Sequence, residues 1–492
     1  MVTRQKKLVW NSSTPLKVHL ATVATCALSW MFCSPGISLI FNGCVVGVVY
    51  VSLGVMEVRR QFIWLTPLSV FFLFYSVEMG PATIYVGYGL LHDPWLPFTR
   101  WMIPAQDVAT GYLVSLLGMF AMHVGIQLLR PRRQPIDSPQ ARALRFPFLA
   151  FASLWALGVF AVYRPLISIS FGAFGIIFQY GALAALLPLA FLKPREIGIS
   201  RGSHAMLLTV GTSALLAASA ASQNSFKQTV VLAFLPPAAL LIQQKRYRRW
   251  IPAAVGGGLL LYLGLIAPAI NESRNIPTLR GMSSWDKVLQ AAETHSILAA
   301  TEPPEEFLVR QFGNLMGRLC EAPSSTGFLV GEVARTGLQT GNTMRDLQYA
   351  FIPRIVWPDK PIVSRGTWFT SYLGMAPRPE EATTSTGMTA YGEWYWNFGV
   401  LGVLGGMFLI GTLQGGLWRL AGDFPMYEPH KMLLYAAITI NVIVLPEAST
   451  VLVALVALYL MFGCFILFGN AAGIRPIRPL EPTIRRSAYE YH

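Results

Sequence analysis

The chain predicts an all-α polytopic membrane protein, and two observations carry that prediction. Of its 492 residues 53% are apolar and only 13% are charged, with a mean hydropathy of +0.48. Soluble domains carry about 25% charge. Nearly uncharged runs of roughly 20 residues also recur, which is the length a helix needs to cross hydrocarbon with its backbone satisfied. This composition excludes a water-soluble enzyme and an intrinsically disordered chain. A formal charge of +14, from 38 basic against 24 acidic residues, reads as cationic loops flanking spans rather than a nucleic-acid surface. The five cysteines show no metal or disulfide spacing.

Twelve spans are predicted at 17–35, 37–56, 61–79, 109–129, 146–163, 173–192, 205–221, 228–243, 250–268, 395–418, 432–446 and 451–469. Placing the N-terminus in the cytoplasm leaves only Arg100, Arg164 and Lys227 in the short outer loops. That bias predicts a multi-pass protein of the plasma membrane with both termini cytoplasmic. The basic start and first apolar run read as an uncleaved first helix, since no small-residue cleavage site follows. No internal repeat is visible.

The predicted organisation follows from these spans. Residues 1–268 hold spans one to nine, with an interfacial outer loop at 80–108. There Pro81, Pro94, Pro97 and Pro104 argue against a regular helix, and Trp95 and Trp101 suit the headgroup layer. Residues 269–394 form a mostly helical outer domain between helices nine and ten. Residues 395–470 hold the last three spans, and 471–492 a basic cytoplasmic tail. Within the outer domain, Ser283 and Asp286 resemble a capping box opening a helix to about Leu298. Pro304 starts a second helix, with Glu305 and Glu306 in its first turn. A third is predicted over 325–338, and a fourth from Asn342 until Pro353.

An outer face has no nucleotide triphosphate, so chemistry there must draw on an activated substrate. A sugar esterified to a polyprenyl pyrophosphate is one. It requires cations for the diphosphate, a carboxylate for the acceptor's proton and apolar helices for the lipid tail. The best cluster runs from Thr343 to Pro379. It sets Arg345, Arg354, Lys360, Arg365 and Arg378 among Tyr349, Phe351, Trp357, Trp368 and Phe369. Arg318, on the second outer helix, and Lys227, in the loop 222–228, are further candidate diphosphate ligands. Arg164 follows a span end in a similar way. Glu393, beside Tyr391 and Tyr395, is the first candidate base. Asp346 is the second, with Asp359 and His295 as alternatives. Tyr349, Trp357, Trp368, Tyr391 and Tyr395 are candidate sugar faces. No metal ligand set and no cofactor motif is present.

The stretch I-P-R-I-V-W-P-D-K-P (352–361), preceded by G-N-T (341–343), resembles the signature of Wzy-type oligosaccharide repeat-unit polymerases of O-antigen and exopolysaccharide synthesis. So does G-E-W-Y-W-N-F-G-V-L-G (392–402). The likeness covers about sixty residues. It implies a metal-independent glycosyltransferase of the bacterial inner membrane, with a GT-C-like fold. Such an enzyme moves a growing glycan from undecaprenyl pyrophosphate to an incoming lipid-linked repeat unit. Its partners would be that lipid-linked oligosaccharide, membrane lipids and a chain-length-regulating co-polymerase. The family's functional arginines map onto Arg354, and onto Arg318 and Arg345. Lys360 lies inside the motif, as a ligand or as part of a turn held by Pro358 and Pro361. Two rival readings remain: an O-antigen ligase, which shares the chemistry, and a lipid-linked oligosaccharide flippase or transporter.

Overall fold

The computed structural model describes residues 14–61, 66–98, 101–131, 300–350, 365–382, 385–422 and 429–471, together with isolated residues at 293, 296, 297, 352, 357 and 359. The predicted spans between 146 and 268, the capping box at 283–286 and both chain ends lie outside the described residues. What is described is mostly helical and compatible with an all-α membrane protein. Among the described residues, four helices are long and apolar enough to cross a bilayer: Pro35–Val58, Pro67–His92, Ala105–Leu129 and Ala390–Ala421.

Helices α1 (Thr14–Phe32) and α2 (Pro35–Gln61) form a hairpin. Polar side chains tie it inside the apolar stretch. Asn42 donates to the Cys26 carbonyl, and the Tyr50 hydroxyl lies 2.8 Å from His19 Nε2. His19 Nδ1 in turn lies 3.0 Å from His123 Nδ1 of α5. Small residues let α2 meet the next pair of helices closely. A Cβ on Gly54 would touch Leu73, one on Gly43 the Gly80 carbonyl, and one on Gly36 the Gly87 carbonyl, so the partners run antiparallel.

That pair is α3 (Pro67–Glu78) and α4 (Pro81–His92), joined across Gly80. The loop expected over 80–108 is therefore helical over 81–92 and again from 105. Pro81 occupies the first helical position, where its missing N–H costs nothing and its fixed φ suits the helix. Thr66 and Ser69 cap α3 reciprocally. After His92, strands β1 (Trp95–Phe98) and β2 (Trp101–Pro104) make a short antiparallel hairpin with exposed Trp95 and Trp101. Pro97 and Pro104 are tolerated in it because neither strand has a further neighbour.

Helix α5 (Ala105–Leu129) organises the rest. Helices α6 (Pro304–Leu319) and α7 (Glu321–Thr336) come from the segment that composition marks as an outer domain. Of these, α7 lies antiparallel on the first half of α5. A Cβ on Gly331 would meet the Asp107 carboxylate, and one on Gly111 would stand 2.6 Å from Gly327 Cα. Further down, Ser115 Oγ donates to Thr326 Oγ1. Ser115 is about 15 Å along the axis from Ala105 at 1.5 Å per residue, so α7 is packed among the spans.

Helix α9 (Ala390–Ala421) lies on the second half of α5. Gly118 meets Val403 and Met407, Gly411 meets Met122, and Gly415 meets Ile126. The numbers rise together, so α5 and α9 run parallel. The sequence places five spans between them, and a parallel pair requires an odd number of passes. Helix α9 is not the single rod expected over 395–418. Gly399, at φ 65° and ψ −156°, breaks it, a conformation essentially confined to glycine. The chain folds back there so sharply that Gly402 stands against the Trp394 carbonyl, and Tyr391 and Met407 both flank Gly118. Helices α10 (Pro429–Asn441) and α11 (Ala448–Ala471) follow, separated by the non-helical stretch 442–447. Between α7 and α9, Asn342–Tyr349 is a 3₁₀ helix rather than the expected α-helix, and α8 covers Gly366–Tyr372.

Candidate functional site

The site gathers where the folded-back start of α9 meets the 3₁₀ helix, α8 and the 442–447 break. Thr389 caps α9, its hydroxyl accepting from the Gly392 N–H at 3.1 Å. It does so at φ 62°, a strained value for a β-branched residue of the kind that concentrates at functional sites. The cap aims Glu393, in the first turn, inward. Its carboxylate is fully buried. Oε1 accepts the Thr343 hydroxyl at 2.8 Å and Oε2 the Ser449 backbone N–H at 2.9 Å.

One turn on, Asn397 secures the same loop. Its Nδ2 donates to Thr343 Oγ1 at 2.7 Å and its Oδ1 accepts the Gly341 N–H at 2.9 Å. Backbone bonds from Gln339 to Trp396 and from Thr340 to Asn397 lace the chain alongside α9. Arg365 closes the network. Its Nε donates to the Thr343 carbonyl at 3.0 Å and its Nη2 to Asp346 Oδ2 at 2.7 Å. Its guanidinium carbon lies 5.8 Å from the Trp368 ring centroid. Thus Glu393, Asp346 and Arg365, singled out from three stretches of sequence, meet through Thr343.

The remaining candidates are distributed as follows. Arg345 is next to Asp346, with Nε 3.8 Å from Oδ1 and its side chain 74% exposed. Tyr349 and Trp357 pack edge to face at 5.3 Å, and Trp368 stacks on Tyr372 at 5.4 Å. Tyr395 is half-buried. Tyr391 is corrected: it is 2% exposed, with its Cβ beside Gly118 of α5, so it offers no open sugar face. Arg378 is an exposed cation within 3.9 Å of Glu381, and Asp359 is exposed. Arg318 lies on α6, but its side chain, like Arg354, Lys360, Lys227, Arg164 and His295, lies outside the described residues.

Two groups were missed. Glu447 is 2% exposed in the break before α11. It accepts from the Thr450 hydroxyl at 2.6 Å and from the Arg365 backbone N–H, and its backbone bridges Thr389. The available signal was a carboxylate in L-P-E-A-S between two predicted spans. The second group is Glu332 of α7, which takes a forked pair of bonds from Arg335, the shorter 2.7 Å, and a further one from the Tyr372 hydroxyl. Burial, reinforced by Glu332, pushes that hydroxyl up to about 12. Arg335 itself is 62% exposed, an oriented guanidinium on the same side of the molecule as α8.

This geometry makes a definite prediction for Glu393→Gln. Both carboxylate oxygens face donors, so the amide must turn its NH₂ toward either the Thr343 hydroxyl or the Ser449 N–H. Leaving one buried donor unmatched costs about 1–3 kcal/mol. A lower melting temperature of the purified protein in detergent is expected, and an unchanged one would contradict the hydrogen-bond assignment. Compared with known proteins, the chain matches no family model, and neither curated proteins nor solved structures give a match.

Proposed function

We propose that the chain is a membrane glycosyltransferase that polymerises polyprenyl-pyrophosphate-linked oligosaccharide repeat units at the outer face of a bacterial plasma membrane, as a metal-independent enzyme of cell-surface polysaccharide synthesis. The finer architecture that goes with it is a GT-C-like fold of twelve passes, with both termini cytoplasmic. One observation carries the reading. The cation-aromatic segment is moored through Arg365, Asp346 and Thr343 to the buried Glu393 of a membrane helix. That mooring supports a charged segment standing beside apolar spans, where a lipid diphosphate must sit.

In the proposed step, an acceptor hydroxyl oxygen bonds to the anomeric carbon of the donor glycan. The bond from that carbon to the pyrophosphate oxygen breaks, and undecaprenyl pyrophosphate leaves with the electron pair. Arg345, with Arg354, Lys360 and Arg318 as further ligands, meets the charge that develops on the leaving group, and Arg365 orients the segment. The acceptor's proton goes to Asp346 at Oδ1, which faces Arg345 Nε at 3.8 Å while Oδ2 is held by Arg365 at 2.7 Å. Glu393, with both oxygens engaged, positions Thr343. The aromatics Tyr349, Trp357, Trp368 and Tyr395 offer sugar faces.

A second reading, a lipid-linked oligosaccharide flippase, is favoured by the breaks at Gly399 and 442–447 beside two buried carboxylates. Such interrupted helices recur at transporter binding sites. Deleting the gene and separating surface glycan on a gel tests both. A polymerase mutant keeps glycan of one repeat unit and loses the ladder. Loss of all surface glycan with carrier-linked units trapped inside favours the flippase, and long polymer stranded on its lipid carrier favours a ligase. At residue level, Arg354→Ala is expected to abolish the ladder with normal membrane insertion. Arg354→Lys should rescue poorly, because it lacks the bidentate fork.

A further inference from the structure

Away from the Glu393 network, a second polar cluster lies inside the bundle, and the glycan chemistry above leaves it idle. His19 of α1 and His123 of α5 are both 0% exposed, and their Nδ1 atoms stand 3.0 Å apart. Tyr50 Oη lies 2.8 Å from His19 Nε2, and Gln127 Nε2 lies 3.0 Å from His123 Nε2. All four ring nitrogens are therefore matched, none of them by a carboxylate. Phe72 and Phe120 meet His19 edge to face at 5.9 and 5.3 Å, and Phe72 meets His123 at 4.9 Å. A metal needs further ligands, and no group of three His, Cys or carboxylate side chains gathers among the described residues.

Proton counting fixes what this row can hold. A neutral imidazole donates at one nitrogen and accepts at the other. Two Nδ1 atoms in contact share one hydrogen, so one ring is the Nδ1–H tautomer and the other the Nε2–H tautomer. With Gln127 donating to His123 Nε2, His123 Nδ1–H donates to His19 Nδ1, and His19 Nε2–H donates to Tyr50 Oη. One further proton fits without moving a ring. It bonds to His123 Nε2 once the Gln127 amide turns its oxygen there. The pair is then one imidazole and one imidazolium, with a single hydrogen still between the Nδ1 atoms. A second proton does not fit, because two N–H groups would face each other at 3.0 Å.

We infer that His19 and His123 form a one-proton exchange site inside the membrane bundle, loaded and unloaded past Gln127. In loading, a proton leaves a solvent hydronium as water and bonds to His123 Nε2. The hydrogen on His123 Nδ1 then passes to His19 Nδ1, and unloading reverses both transfers. The inference does not rest on the glycan-transfer reading. The way in is short: His123 stands about 9 Å before the end of α5 at 1.5 Å per residue, with half-buried Gln127 between.

Arg130 caps that end, its Nη1 3.8 Å from Glu57 Oε1 of α2. The carboxylate offsets a guanidinium that would otherwise repel an arriving proton. The other ionisable groups on the packed faces are Cys26 of α1, two turns inward from His19, and Tyr75 and Glu78 of α3, one and two turns beyond Phe72. Lys17 of α1 and Arg419 of α9 are exposed. Ionisable side chains within a membrane bundle are costly and mark proton or ion paths. An Asn or Ser pair would tie α1 to α5 without titrating.

The test uses the full-length chain with isotopically labelled histidine, reconstituted in lipid nanodiscs and moved into heavy water. Nitrogen NMR should show His19 and His123 as hydrogen-bonded opposite tautomers. Their ring hydrogens should exchange within minutes and at one common rate, rising about tenfold for each unit by which pH is lowered. Gln127→Leu should slow both rings together by about tenfold, whereas His19→Gln should leave exchange at His123 within about twofold, because the proton arrives at His123 first. Ring hydrogens that persist for hours in the wild type, a rate that ignores pH, or rings that exchange at unrelated rates overturn the inference, and the pair is then a sealed lock between helices. Unchanged exchange in Gln127→Leu overturns the entry past that residue. Should a variant fail to fold, the wild-type rates decide alone.

Discussion

Arg365→Ala is expected to abolish long-chain glycan and to lower the stability of the folded protein by about 3 kcal/mol. Deleting one member of a buried ion pair leaves the other uncompensated, at a cost of about 3–5 kcal/mol. Both side chains here are mostly covered, at 17% and 12% exposure. The low end of that range therefore applies. The loss spreads beyond Asp346, because the same guanidinium holds the Thr343 carbonyl and lies against Trp368. Without it, the 3₁₀ helix carrying Arg345 loses its anchor to α8. Arg365→Lys keeps the charge, but a single ammonium cannot span the Thr343 carbonyl and Asp346 Oδ2 together, so most of the loss should persist. The double variant Arg365→Ala with Asp346→Asn should recover much of the stability and none of the ladder. Melting curves in detergent and glycan gels read the two effects separately. A full ladder in Arg365→Ala would remove the mooring from the mechanism.

The second large effect is expected at the contact between α5 and α9. A Cβ on Gly411 would stand 2.8 Å from the Met122 carbonyl carbon, and one on Gly125 2.6 Å from the Thr412 backbone nitrogen. Both clashes are with main chain, which cannot swing aside as a side chain can. Gly411→Val should therefore part the two helices and lose the packing that drives association within lipid. Little folded protein is expected, read as a lost monodisperse peak on size exclusion and as rapid proteolysis. The control lies on the same helix. A Cβ on Gly405 meets nothing within 4 Å, so Gly405→Ala should be neutral or stabilise by up to about 1 kcal/mol. If Gly411→Val behaves like Gly405→Ala, the parallel packing described for these helices is wrong.

What the sequence disclosed and what it withheld divide along physical lines. Helix starts were readable where a local cause exists, as at Pro304 with its two acids. The apolar runs that became α2, α5 and α9 were readable because bilayer thickness imposes a minimum length. Gly399 was opaque, since hydropathy is blind to whether a long apolar run is one rod or two; the break at Gly80 was legible, but the proline after it reads as loop where it starts a helix. The packing of α7 on α5 was also hidden. Its Ser-Ser-Thr-Gly run looks soluble by composition, but small hydroxyl-bearing residues are what a close helix contact within lipid uses. Among site residues, Glu393, Asp346 and Arg365 stood out as charges near aromatics. Glu447 did not, because a lone carboxylate between two spans reads as loop until a partner across the fold is known. Tyr391 misled for the converse reason: an aromatic at a span's edge looks interfacial until its burial in the fold is known.

That doubling back at Gly399 divides labour within one helix. Residues 390–398 hold the loop and acids around them, whereas 400–421 run along α5, and Gly399 is the joint at which the two limbs turn back on each other. A change in the short limb therefore reaches the polar network around Thr343 first, whereas one in the long limb reaches the contact with α5 first.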